Sequence, residues 1–442
     1  MTTLDPTGEL RAVVSDCVHC GFCLPACPTY QLWGEEMDSP RGRIHLIAQL
    51  LDGAQASDTA AAHIDRCLGC MACVPACPSG VRYDRLIEAA RSWTEETPPA
   101  PRPLPARSAR DRMLRAAIFR TFPYPRRLRV LLAPLRAAQR TGLDRLAQRG
   151  GLAGRLSPEL AAALRLAPAR ASSQSRRRLP GRLAASGKRR AVVGMLTGCV
   201  QQVFFPQVND ATARVLAAEG CDVIIPAEQR CCGALSLHGG RRQEAAGFAR
   251  HAIEVFELAG VDAIVVNSAG CGSAMKDYAD LLAGDQDWAA RAAGLSGRVR
   301  DFSEFLADLG PAAERHPLPV TVAYHDACHL AHAQRVSAQP RDLLRAIPGL
   351  RLAEIPDPGV CCGSAGVYNL VQPGPARELG ERKADAVQQT GADLLVSANP
   401  GCTMQIGAAL AERGQKLPVA HIAEVLATSL AGQAAETLLT SR

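Results

Sequence analysis

The sequence predicts a multidomain chain of mixed α+β and α/β class: a small helical N-terminal module, a basic helical connector, and two copies of one parallel α/β domain. Three observations predict it. A twelve-residue cysteine pattern is written at 17–28 and again at 67–78, and a longer cysteine pattern is written twice after residue 190. Between these duplications lies a segment that carries nearly half of the chain's basic residues. A length of 442 residues suits two or three domains, and 47% apolar content is enough to give each a core.

The first pattern is C-x2-C-x2-C-x3-C-P. It places Cys17, Cys20, Cys23 and Cys27 before Pro28, and Cys67, Cys70, Cys73 and Cys77 before Pro78. This is the run that holds [4Fe–4S] clusters in bacterial ferredoxins. Three thiolates at this interval wrap three corners of a cubane, and the longer step with its proline carries the fourth to the other cluster. The spacing therefore predicts one cluster on Cys17, Cys20, Cys23 and Cys77 and another on Cys67, Cys70, Cys73 and Cys27, with centres roughly 12 Å apart. Structural zinc favours pairs of cysteines over such triplets. The N-terminus lacks a basic stretch followed by an apolar one, so no signal peptide is expected. The chain has 17 cysteines, and a reducing compartment then favours reading them as metal ligands over disulfides. No apolar window of about 18 uncharged residues is found, so no spanning helix is expected. The expected location is cytoplasmic, with peripheral attachment to the cytoplasmic face of the inner membrane as a variant.

Residues 1–93 form the module that carries both runs. Ser39 can cap a helix that starts at Pro40, and Ile44, Ile47, Leu50 and Leu51 recur on one face. Arg41 and Arg43 in its first turn are candidates for tuning a cluster or meeting a partner, against a solvated helix start. A second helix is expected over Tyr83–Trp93. Residues 94–190 form the connector. The run from Pro98 to Pro103 suggests an extended linker, and 168–190 a flexible one. Arg112–Arg120 and Leu128–Gln139 have the pattern of basic amphipathic helices. From Pro98 to Arg190 there are 23 basic against 3 acidic residues, in a chain of net charge +7. Docking on an acidic partner, an anionic membrane surface and a solvated connector all remain open for this segment. Nucleic acid is not expected, because no nucleic-acid module accompanies the charge.

The second duplication spans 191–310 and 318–430. Cys199, the pair Cys231–Cys232 and Cys271 in the first copy correspond to Cys328, Cys361–Cys362 and Cys402 in the second. The intervals are 32 and 39 residues in one copy, and 33 and 40 in the other. Strand-like runs (Val192–Leu196, Val223–Ile225, Ile264–Val266; Val320–Ala323, Leu394–Val396) precede these cysteines. Helical patterns at Asn209–Glu219, Gln243–Leu258 and Ala376–Gln388 separate them, which predicts a parallel sheet in each copy. Ligands of such sheets gather beyond the carboxyl ends of the strands, where the cysteines lie. Four thiolates per copy could surround an additional iron–sulfur centre, with buried structural thiols as the alternative. Adjacent cysteines make poor disulfides. Cys221 has no counterpart and is expected in the core. His325 and His329 flank Cys328 and are candidates for proton relay or hydrogen bonding to a cluster, or for satisfied structural histidines. No convincing G-x-G-x-x-G follows a strand; the glycines between Gly150 and Gly154 follow an arginine-rich helical pattern.

With both duplications in view, the chain resembles the glycolate oxidase (glycolate dehydrogenase) iron–sulfur subunit family, which joins two [4Fe–4S] motifs to two cysteine-rich CCG domains. The residues that carry the resemblance are the runs starting at Cys17, Asp38, Asp65, Cys77 and Cys231. Heterodisulfide reductase, anaerobic glycerol-3-phosphate dehydrogenase and lactate-utilisation subunits are similar. The fuller CCG pattern ends in C-x2-C, and here Ser268 and Asn399 replace the first of those cysteines. That departure argues against a noncubane cluster and mildly against a reductase site in the CCG domains. The resemblance implies an oxidoreductase subunit with no catalytic residue of its own. An FAD-containing dehydrogenase subunit and a second FAD-binding subunit would be its partners. Electrons from glycolate oxidation to glyoxylate would pass through this chain to a quinone-type acceptor. A lactate or glycerol-3-phosphate dehydrogenase subunit, or a CCG-domain reductase acting on a disulfide or quinone, is the alternative.

Overall fold

A computed structural model describes residues 4–5, 7–55, 57–96, 107–141, 157–167 and 179–440. The Pro98–Pro103 run, the Gly150–Gly154 glycines and residues 168–178 of the expected linker lie outside the described residues.

The N-terminal module is helical. Ser39 Oγ accepts the Gly42 N–H at 3.0 Å and opens the helix Pro40–Leu51, a cap worth about 1 kcal/mol. Ile44, Ile47, Leu50 and Leu51 are buried on one face, against Leu86, Ile87, Ala90 and Trp93 of the helix Tyr83–Glu95. Gly42 is required by packing: a Cβ there would lie 2.0 Å from the Glu36 carbonyl oxygen. A third helix, Asp58–Arg66, leads straight into the second cysteine run. The core of the module also includes Cys67 and Cys73, so the cluster loops are part of its packing.

Two sheets make up the rest. Strands β1 (Arg182–Leu183), β2 (Ala191–Leu196), β3 (Cys221–Ile224), β4 (Ala263–Val266) and β5 (Val299–Asp301) form one in the order β1-β3-β2-β4-β5. Strands β6 (Thr321–His325), β7 (Arg351–Glu354), β8 (Leu394–Ser397) and β9 (Val419–His421) form the other in the order β7-β6-β8-β9. All neighbours are parallel except β1, which pairs antiparallel with β3 through Arg182↔Ile224. The duplicated order is therefore β3-β2-β4-β5 and β7-β6-β8-β9. In each copy the chain leaves the first strand to one side and returns on the other, so strand order reverses between β2 and β4, and between β6 and β8. The expected helices are present as Pro206–Ala218, Arg242–Leu258 and Pro373–Gln389. Pro206–Ala218 of the first copy packs on Ile422–Leu430 of the second, and one apolar core runs through both sheets.

The connector differs from expectation in three ways. The edge strand β1 replaces part of the linker expected over 168–190, because β3 leaves an edge that Arg182 and Leu183 can pair. The expected helix over Leu128–Gln139 is two helices, Pro125–Leu131 and Ala133–Thr141. Pro134 has no N–H to continue the first and fits the start of the second. The described part is also no merely solvated connector. Phe119 of the helix Ala109–Thr121 is fully buried beside Leu235 of the first copy and Val367 of the second. Arg107 donates to Asp65 Oδ1 at 2.9 Å and to Glu95 Oε2 at 3.1 Å in the N-terminal module. Basic residues of the connector thus meet acids of this same chain. Among the described residues, no helix is long and apolar enough to cross a membrane.

Candidate metal centres

The two N-terminal cysteine loops adopt the same backbone. His19 and Gly21 have φ of 55° and 89°, and Gly69 and Met71, at the matching positions, have 65° and 60°. Two left-handed residues per loop turn the backbone around the space the thiols enclose, and in each loop a non-glycine residue tolerates the strain. Cys17, Cys20, Cys23 and Cys77 line one shared cavity, with Arg41 and Tyr83 on its wall and Cys73 of the other expected set reaching the same space. The fourth cysteine of the second run is thus brought to the first three of the first run. Cys27 is buried among the other set, close enough to Cys70 and Cys73 to raise their thiols electrostatically, after the larger effect of burial.

The protein surrounds this second set with positive charge and donors. Arg43 is fully buried, which overturns the solvated helix start. It donates to the His63 carbonyl at 2.6 Å, to Thr29 Oγ1 at 3.1 Å and to Asp38 Oδ1 at 3.1 Å. Burial alone would raise the Cys67 thiol. The Arg43 and Arg91 charges, the Tyr83 O–H at 3.4 Å and the Gly69 N–H at 3.3 Å more than offset it, so Cys67 lies below the ordinary thiol range. Arg41 binds Glu36 and the His19 carbonyl at 3.0 Å, bracing the first loop.

In each CCG copy four thiols converge beyond the strand ends, at the reversal of strand order. Cys199 Sγ lies 3.3 Å from Cys231 Sγ, and hydrogen bonds continue from Cys231 to Cys232 and Cys271. The second copy repeats the line as Cys328, Cys361, Cys362 and Cys402. Gly233 and Gly363, at φ of 83° and 86°, donate their N–H to Cys231 and Cys361, each at 3.4 Å. All described cysteines are free. Donor chemistry and convergence fit a soft metal centre in each copy. Cys221 lies in β3, buried in the core and away from these lines.

The positions that break the fuller CCG pattern meet one another. Ser268 Oγ lies 3.4 Å from Asn399 Oδ1, and Asn399 Nδ2 donates to Cys402 Sγ at 3.5 Å. Ser268 likewise hydrogen-bonds Cys271. Each hydrogen-bonds the last thiol of its copy at the position where the fuller pattern has a cysteine, Asn399 as the donor. Sequence spacing gave no sign of this pairing, since it is made between copies.

The two modules join at the cysteines. Leu68, Cys70 and Ala72 of the second loop share an apolar cluster with Cys361, Tyr368 and Leu379 of the second copy, and Cys328 packs against it. A single π-helical turn, His329–Ala333, follows Cys328 and aims His329 Nε2 at the Gly69 carbonyl, 2.9 Å away. The His329 ring packs at a tilt against His238 of the first copy, with 4.7 Å between centroids and 48° between planes. Burial, then His238, drives His329 down to about 3, which leaves it a neutral bridge. The sequence ranked His329 with His325 as a relay or a satisfied structural residue; it bonds the cluster loop directly.

Family models match along this architecture: the 4Fe-4S dicluster domain over residues 13–81, the linker region of the glycolate oxidase iron–sulfur subunit over 110–167, and the cysteine-rich CCG domain over 193–276 and 322–407. A probable glycolate oxidase iron–sulfur subunit of Bacillus subtilis (strain 168) is 35% identical over 422 residues, covering 93% of each chain. The glycolate oxidase iron–sulfur subunit of Escherichia coli (strain K12) is 34% identical over 411 residues, covering 91% of each. This chain belongs to the glycolate oxidase iron–sulfur subunit family. Lactate utilization protein A of Shouchella clausii (strain KSM-K16) is 32% identical over 240 residues, 53% of this chain and 98% of that one. Membership makes the chain an iron–sulfur protein with an N-terminal [4Fe–4S] dicluster domain, a linker and two CCG repeats. The convergent thiols are the features of the fold that fit those cofactors.

Proposed function

We propose that this chain is the electron-conducting subunit of a flavin-dependent glycolate dehydrogenase complex. A flavin-bearing partner, with a second FAD-binding subunit beside it, oxidises glycolate to glyoxylate and releases two electrons and two protons. A quinone-type acceptor takes up two of each. Bound iron–sulfur clusters supply one-electron steps between these two-electron couples.

One observation carries the reading: the cysteines form a continuous line from the surface to the interior. Cys20 is exposed, and Val18 and Phe22 beside it are each 68% exposed, so the first loop is open to a partner. Cys70 in the second loop is buried against Cys361 and Cys328. In this reading Cys17, Cys20, Cys23 and Cys77 hold the outer cluster, and Cys67, Cys70, Cys73 and Cys27 the inner one. The eight CCG cysteines extend the path. The chain's own residues hold the thiolates, brace the loops through Arg41, Arg43 and Arg91, and keep water from the inner set. The division into 1–93, 94–190, 191–310 and 318–430 follows the same roles, and a cytoplasmic site of action suits free thiols.

The test is iron and acid-labile sulfide per chain on anaerobically purified protein, with EPR after glycolate is added to the assembled complex. About eight of each in the N-terminal module and a cluster signal that grows with glycolate are expected. Stoichiometric zinc without iron, or clusters that stay oxidised while the partner's flavin is reduced, would sink the proposal. Lactate is the second substrate reading, favoured by the likeness to lactate utilization protein A, and the same titration with lactate separates the two.

A further inference from the structure

The two CCG sites are not equivalent, and the difference is a histidine. His325 ends β6, three residues before Cys328. It is 1% exposed, and neither ring nitrogen has a hydrogen-bond partner. A buried polar atom without a partner is destabilising and calls for an explanation. A ring nitrogen of His325 and the Sγ atoms of Cys362 and Cys402 all lie within 4.8 Å of one another. In the first copy the residue three before Cys199 is Leu196, buried in an apolar core. Lys383, buried and donating to the Asp357 carbonyl at 2.9 Å, faces the second site. The glycines of the two CCG turns lie against Ala245 and Phe248 in one copy and Ala376 and Leu379 in the other, which places Ala252 opposite Lys383. One site is lined by leucine and alanine, the other by histidine and lysine.

We propose that His325 is a metal ligand, its imidazole nitrogen joining Cys362 and Cys402 in a mixed imidazole–thiolate centre found in the second repeat alone. Metal–nitrogen bonds of about 2.0 Å and metal–sulfur bonds of about 2.3 Å set donors slightly under 4 Å apart, so the three atoms need only a small contraction. The metal bond satisfies one of the two orphaned nitrogens and answers the position left by Asn399 with a neutral donor. Exchanging a thiolate for an imidazole raises the reduction potential of an iron–sulfur centre. With Lys383 adding positive charge, the second repeat becomes the more readily reduced of the two. The same donor set also suits a single zinc ion.

The test uses the full chain, purified anaerobically with 15N-labelled histidine, and compares it with His325→Leu, the residue of the first copy. Pulsed EPR on the reduced protein reads a directly bound imidazole on iron; X-ray absorption at the zinc edge reads one on zinc. Either signal in the wild-type chain, lost in His325→Leu while the N-terminal cluster signals remain, supports the proposal and names the metal. Should His325→Leu not fold, His325→Cys keeps a donor, and nitrogen must give way to sulfur in the same spectra. Absence of both signals from the wild-type chain, or their survival in the variants, overturns it.

Discussion

Arg43 shows how much a single side chain contributes to the inner cysteine set. It is fully buried, shares Asp38 with His63 and Arg66, and its charge lies close to Cys67 and Cys27. Arg43→Met removes the charge and leaves Asp38 and the His63 carbonyl without a main donor. Thermal denaturation of the anaerobic protein should show a loss of about 3 kcal/mol, the usual cost of breaking a buried pair. Redox titration should show a more negative potential for the inner cluster, because the positive charge that favours its reduced form is gone. Asp277 gives a pH test. It lines a cavity of about 260 Å3 between the N-terminal module and both CCG copies. Burial, then repulsion from Glu88 and Asp84, raises it from its ordinary value of 3.8 to about 7. A carboxyl raised in the folded state binds its proton more tightly there than in the unfolded chain. Its stabilising effect is complete below pH 4 and is lost as pH rises through 7. The melting temperature of Asp277→Asn should therefore rise relative to that of the wild-type chain as pH goes from 4 to 7.

At the scale of elements, the helix Ala109–Thr121 is the strap that ties the connector to the rest. Phe119 is its anchor. It lies under Arg241, with the guanidinium 4.7 Å from the ring centroid, and against Gly239, where a Cβ would come within 2.4 Å of the ring. Phe119→Ala should destabilise the fold by about 3 kcal/mol, the low end for a buried phenylalanine. Gly239→Val should expel the ring and raise proteolytic cleavage near this helix without loss of N-terminal iron. The strap also explains the fate of the basic charge. Arg107 and Arg115 are spent on Asp65, Glu95 and Asp111, and because both guanidinium groups are nearly buried, proteolysis near this helix should be almost independent of salt concentration.

At the scale of the molecule, the duplication is symmetric in topology and asymmetric in use. Both copies carry the same strand order and the same line of four thiols, but only the second copy takes the inner cluster loop into its apolar contacts. The first copy reaches that loop through His238 and through Arg91, which donates to the His238 carbonyl at 2.9 Å and to the Cys67 carbonyl. Cys361→Ser should therefore alter the EPR relaxation of the inner cluster, and Cys231→Ser should leave it nearly unchanged. Equal effects would mean that the two copies lie equally near in the electron path.

The sequence by itself determined the cysteine runs, the two duplications and the strand-to-cysteine order, because ligand spacing and alternation of apolar runs are local properties of the chain. It also determined the cap at Ser39, which acts within a few residues. What only the tertiary structure decided are relations between distant segments. Arg43 became a buried ligand of Asp38 because the Asp58–Arg66 helix closes over it; nothing in its neighbours distinguishes it from the half-exposed Arg41. Ser268 and Asn399 stand for missing thiolates in the sequence, yet in space they bond each other and the remaining cysteines. His325 and His329 look alike beside Cys328, yet one points into the site without a partner and the other bridges to Gly69, because a strand end and a π turn aim them oppositely. Side-chain direction depends on packing across 260 residues of chain, and no periodicity encodes it.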